Sequence, residues 1–249
     1  MSFVSVLKNI GLIGCVLGSV ALAGCSSTAS STNNSGSVSS KKVSASSKKP
    51  VRVAAVEQRA SEINRPITGK ISRTGEIYLL RGLANIFSRG MDVMGERMVR
   101  KGLDARVYNH NAWQGLANNI VARAKVKQVS YPIIIMGHSL GGNASVQMAK
   151  YLGDRGIKVR YVVTFDPTVT TFVGRNVNQV TNYYLPNEKH TNVVRKVAGF
   201  SGNLKNVRVT NIRGITHTNV EKNRGLQNKS IKYIMSLTKK RRVRHARRG

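Results

Sequence analysis

The chain has 249 residues, with 41 lysines and arginines against 10 acidic side chains, a formal net charge of +31. Two cysteines exclude a disulfide framework and a thiolate metal centre. No metal-ligand constellation, phosphate loop or dinucleotide fingerprint is present, so neither a metal nor a cofactor is expected.

The first 25 residues read as a signal segment. Lys8 is their only charge, and the stretch from Asn9 to Gly24 is apolar or small, as a secretory h-region requires. It ends Leu22-Ala23-Gly24-Cys25, which resembles the bacterial lipobox. That resemblance implies lipidation of Cys25 as the first mature residue, and Ser26 after it implies sorting to the outer membrane. Leu12-Ile13-Gly14-Cys15 has the same form but leaves almost no h-region behind Lys8. An ordinary signal peptide or an anchor helix is the alternative.

Residues 26–50 are Ser, Thr, Asn and Lys with almost nothing apolar, a composition that cannot bury enough surface to fold, and they read as a tether. Residues 51–238 form the domain, within which 51–76 are ambiguous: Val51-Arg52-Val53-Ala54-Ala55-Val56 fits a short edge strand, but four cations keep the segment solvated. The domain is large enough for one core. Strands are expected at 77–80, 105–108, 133–136, 159–165, 177–185 and 207–212. Helices are expected in the second half of 84–101, at 112–126, after Gly142 and at 219–237. Met91, Met94 and Met98, spaced by three and four, read as core rather than as a lipid-facing stripe. Alternating strands and helices specify an α/β fold, a mostly parallel sheet with helices on both faces.

The informative stretch is Tyr131 to Leu152. The run Ile133 to Met136 reads as a strand buried on both faces, and Ala144, Met148 and Leu152 share one helical face. Between them stands Gly137-His138-Ser139-Leu140-Gly141, a G-x-S-x-G turn. Such a turn holds its serine on a sharp, strained bend, with the hydroxyl at the carboxyl end of the sheet. The N–H of Leu140, opening the helix, faces a developing oxyanion. The bland alternative is a glycine-rich turn whose serine merely caps the helix. Gly-His-Ser-Leu-Gly-Gly after an aliphatic strand resembles the α/β-hydrolase superfamily, especially its lipases, esterases and thioesterases, over about residues 75–240. The resemblance implies a small α/β hydrolase with no large lid.

A nucleophilic serine needs a base, and the base an orienting carboxylate. Asp166 directly follows Val162-Val163-Thr164-Phe165 and precedes Pro167, at the carboxyl end of the strand after the elbow helix. It resembles the acid of lipases that carry it after this strand; an Asx-Pro turn former is the alternative, and Glu188 is the runner-up acid. Asp154 reads as an ordinary turn residue. His217 lies after the last expected strand, and the order Ser139, Asp166, His217 matches that of α/β hydrolases. His138 is expected to pack under the turn, while His110, His190 and His245 sit in polar segments. The second oxyanion donor is expected in Leu80-Arg81-Gly82-Leu83, as the N–H of Leu83. Several superfamily members have His-Gly where this chain has Arg81-Gly82, so Arg81 either meets an anionic part of the substrate or is simply solvated.

These residues imply a serine esterase, lipase or thioesterase acting through an acyl-enzyme. Its partner is an ester or thioester substrate, lipids included, and it is a monomer. Residues 239–249 form a polybasic tail, which would pair with anionic envelope surfaces and supply a second membrane signal beside the lipid on Cys25. No aromatic interleaving marks the tail for nucleic acid. The expected location is the cell envelope. Two readings from other classes stay open: a non-catalytic basic envelope lipoprotein that binds anionic lipids or polymers, and a basic nucleic-acid-binding protein.

Overall fold

The computed structural model describes residues 69–83, 88–186 and 192–241. The signal segment, Cys25, the tether, residues 51–68, Glu188, His190, His245 and the tail beyond Arg241 lie outside the described residues. In chain order the elements are β1 (Glu76–Arg81), α1 (Arg89–Val99), β2 (Ala105–Asn109), α2 (Trp113–Lys125), β3 (Ile133–His138) and α3 (Leu140–Gly153). They continue as β4 (Tyr161–Phe165), β5 (Thr171–Val173), β6 (Gln179–Tyr184), β7 (Val194–Lys196), β8 (Asn203–Arg208) and α4 (Arg224–Leu237).

Six strands form one parallel sheet in the order β2-β1-β3-β4-β6-β8. Its helices cover both faces, which is why β1, β3 and β4 are buried at every position instead of alternating. Ile134 and Met136 of β3 join a core with Met91, Met94 and Met98 of α1 and Leu226, Ile231 and Ile234 of α4. Ile133 and Ile135 turn to the other face, against Leu116 and Ile120 of α2 and Ala144, Met148 and Leu152 of α3. The methionine stripe is therefore core, as expected. The fold is the mostly parallel α/β class that the element pattern specifies.

The chain runs from β1 outward to β2, then returns to the other side of β1 as β3. The connections after β1 and β3 thus leave the sheet in opposite directions, and a crevice opens between them at the carboxyl ends of the strands. That topology places Gly82 and Ser139 at one spot.

Three features differ from the sequence expectation. The last strand is β8 at Asn203–Arg208, about four residues earlier than the expected 207–212. It is an edge strand paired only with β6 and largely solvent-facing, so it carries no apolar pattern, while Val209 beyond its end enters the core. β5 and β7, three residues each, pair as a separate parallel ribbon that the expectation lacked. The expected helix at 219–237 is a 3-10 turn, Val220–Lys222, followed by α4, whose N-cap Asn223 accepts from the N–H of Leu226 at 3.1 Å.

Candidate active site

Ser139 joins β3 to α3 with φ 57 and ψ −124, a conformation that costs an L-residue free energy and persists only where its surroundings enforce it. Here the Ser139 N–H donates to the Phe165 carbonyl of β4 at 3.0 Å, and the Ser139 carbonyl accepts from Gly142 N–H at 2.8 Å to start the helix. The flanking glycines permit the close packing. A Cβ on Gly137 would collide with the Gly141 carbonyl, and one on Gly141 with the Leu80 carbonyl of β1. The turn is the strained strand-to-helix bend that the motif demands.

The side chains expected to converge do so. Ser139 Oγ lies 3.0 Å from His217 Nε2, and His217 Nδ1 lies 2.7 Å from Asp166 Oδ2. A carboxylate only accepts, so Nδ1 carries the imidazole proton and Nε2 presents its lone pair to the serine hydroxyl. Asp166 follows β4 at φ 48 and is 3% exposed. Its second oxygen accepts from Leu185 N–H at 2.8 Å and from the amide of Asn192. These donors hold the carboxylate in one orientation, with Oδ2 left for the histidine. The His217 side chain is 44% exposed, so its imidazole borders solvent while the Asp166 carboxylate does not.

The loop after β1 runs alongside the serine. A Cβ on Gly82 would stand 2.9 Å from Ser139 Cβ, which brings the Gly82-Leu83 peptide beside the Ser139 side chain. Leu83 is exposed at this rim, and Leu140 opens α3. Arg81 fits neither expectation. It is 6% exposed, and its Nε reaches Asp92 Oδ1 of α1 at 3.0 Å, so it is a buried structural ion pair with no solvated or substrate-facing charge.

His138 packs under the turn as expected and is 1% exposed. Its Nδ1 is 2.8 Å from Ser88 Oγ and its Nε2 is 2.7 Å from the His217 carbonyl oxygen. Burial pushes its pKa down to about 4, so the ring is neutral near pH 7. Glu221, in the 3-10 turn after His217, is also buried, and burial pushes its carboxyl up to about 7. Asn192, Ser88 and Glu221 escaped sequence reasoning, because none belongs to a spaced motif and each acquires its role from a tertiary contact. Asp154 pairs with Lys150 at 2.8 Å at the exposed end of α3, an ordinary turn residue. Phe200 and Leu204 are partly buried and pack against the core that includes α2 and α3. Among the described residues no three His, Cys, Asp or Glu side chains converge as metal ligands would.

This arrangement can take a proton from Ser139 and hold the resulting imidazolium against Asp166. No protein-family model and no curated protein matches the chain. Solved structures do align with it. One is the NocB thioesterase domain from the nocardicin cluster, at 10% identity over 66% of this chain and 93% of that one, TM-score 0.35. Another is a Xanthomonas campestris protein described as an α/β-superfamily hydrolase, at 13% identity over 66% and 99% of the two chains, TM-score 0.38. A third is an esterase from Pyrobaculum calidifontis, at 22% identity over 42% and 39%, TM-score 0.31.

Proposed function

We propose that the protein is a serine hydrolase that cleaves carboxylic ester or thioester bonds through an acyl-enzyme. The observation that carries this reading is the hydrogen-bonded line from Ser139 Oγ through His217 to Asp166, built on a strained turn at the crevice of the sheet. His217 takes the hydroxyl proton as Ser139 Oγ attacks the substrate carbonyl carbon. The oxyanion of the tetrahedral intermediate is met by the N–H groups of Leu140 and Leu83. As the intermediate collapses, His217 returns the proton to the leaving alcohol or thiol. Water then adds to the acyl-serine, its proton going to the same imidazole, and the acid is released with Ser139 restored. Hydrolysis of p-nitrophenyl acyl esters by the wild type and by Ser139→Ala tests the reading. Undiminished turnover by the variant rejects it.

The place of action is proposed as the bacterial envelope, with a lipid on Cys25 and the basic segment 239–249 against anionic headgroups. Incorporation of labelled palmitate that disappears in Cys25→Ser supports the anchor, and equal labelling of both overturns it. A chain that only anchors or binds polyanions is the competing reading, favoured by the net charge of +31. It is separated from the hydrolase by the serine chemistry of Ser139.

A further inference from the structure

We propose that His138, the residue before the nucleophile, is a positioning residue that ties the backbone of His217 to the loop carrying the second oxyanion donor. The inference rests on the hydrolase reading above. Four groups stand in line. Gly82 N–H donates to Ser88 Oγ at 2.8 Å, Ser88 Oγ is 2.8 Å from His138 Nδ1, and His138 Nε2 is 2.7 Å from the His217 carbonyl.

The protons in this line have one arrangement. A carbonyl oxygen can only accept, so His138 Nε2 carries hydrogen. The neutral ring then has a lone pair on Nδ1, and the Ser88 hydroxyl must donate to it. The serine oxygen is thereby free to accept from Gly82 N–H. Reversing any joint would set two donors or two acceptors against each other, and Ser88, His138 and Gly82 are all buried, so water does not repair the mismatch. Doubly protonated His138 weakens the line, because Ser88 Oγ would then accept at both ends and its hydroxyl proton would lose His138 as acceptor.

The geometry has a consequence for the reaction. The base and the oxyanion donors lie on different loops, and the substrate carbonyl must fit both at once. His138 spans the two from beneath, on the rigid end of β3. Its ring centroid is 5.0 Å from that of His217 at an interplanar tilt of 39°, so the two imidazoles also limit each other's rotation. Charged and titratable groups facing His138 are Glu221, whose Oε2 is 3.8 Å from Nε2, together with Lys222, Asp166 and His217. At 3.8 Å the carboxyl is outside hydrogen-bond range, and the carbonyl of His217 keeps the proton.

Two measurements test the proposal. In the wild-type protein labelled with nitrogen-15 at histidine, His138 should show the neutral tautomer protonated at Nε2 and should not titrate between pH 5 and 8. A tautomer protonated at Nδ1, or titration near pH 6.5, overturns the proposal whether or not the protein is active. In steady-state ester hydrolysis, Ser88→Ala and His138→Ala should each lower kcat by about 10–100-fold with KM within about twofold. The double variant should be no worse than His138→Ala alone. Multiplying losses, or a loss confined to KM, refute the link while Ser139→Ala still abolishes turnover. An inactive wild type instead sinks the hydrolase reading, and the tautomer then decides the line by itself.

Discussion

Both terminal nitrogens of Arg123 on α2 grip the Glu76 carboxylate on β1, Nη1 to Oε1 and Nη2 to Oε2, each at 2.7 Å. Neither side chain is more than 9% exposed. Burial by itself would raise the Glu76 pKa, but hydrogen bonds from Arg123, Tyr78 and the N–H of Ser130 outweigh it and hold the carboxyl below the usual range. The pair closes the amino end of β1 onto a helix at a place where every remaining lone pair is occupied.

Removing one partner strands the other. Arg123→Met should destabilise the domain by about 3–5 kcal/mol in urea unfolding near pH 7. Glu76→Gln combined with Arg123→Met should cost less than Arg123→Met alone, because no buried charge is then left unpaired. A folded-state pKa below the unfolded one contributes stability above the ordinary carboxylate range, lost as pH falls through the depressed value. Wild-type stability should therefore drop on acidification more steeply than that of the double variant.

Glu221 behaves in the opposite sense. Its carboxyl is fully buried and pushed up to about 7, so the fold prefers the protonated form. Stability from this group is greatest below pH 4.5, declines as pH rises toward 7 and is flat above, about 3 kcal/mol in all. Glu221→Gln should remove that decline. The test is the stability difference between variant and wild type at pH 5 and at pH 8: the variant should gain on the wild type at pH 8. An unchanged difference at the two pH values contradicts the account.

Asp166→Asn is the sharper probe of the site. Leu185 N–H and the Asn192 amide would draw the new amide's oxygen to the Oδ1 position. That turns the new NH₂ toward His217 Nδ1. The imidazole would then accept at Nδ1 and carry its proton at Nε2, the wrong form to receive one from Ser139. Turnover should fall by about 10⁴-fold with the fold intact. Thermal unfolding within a few degrees of the wild type, alongside retained activity, would show that the acid is not needed.

Much of this was legible in the sequence for identifiable reasons. Ile133 to Met136 is buried on both faces, and such a run announces itself without alternation. The G-x-S-x-G turn has a strand before it and a helix after it, so Ser139 could be placed at the sheet's carboxyl edge, and the scarcity of acids and histidines narrowed its partners to Asp166 and His217. The edge strand β8 was misplaced because its residues face solvent and carry no period, whereas Val207, Val209 and Ile212 mimic one. Arg81 was misread because the ion pair that buries it comes from Asp92 on a helix eleven positions away, with no local signature. The line from Gly82 to His217 through Ser88 and His138 exists only once β1, α1 and β3 are folded together, and no linear spacing encodes it.

The central claim is that Ser139 is an activated nucleophile. The most direct measurement is covalent labelling of the purified domain by a fluorophosphonate probe, in the wild type and in Ser139→Ala. The wild type should be labelled at Ser139 and the variant not at all. A folded wild type that takes no label, or a variant that labels equally, would contradict it.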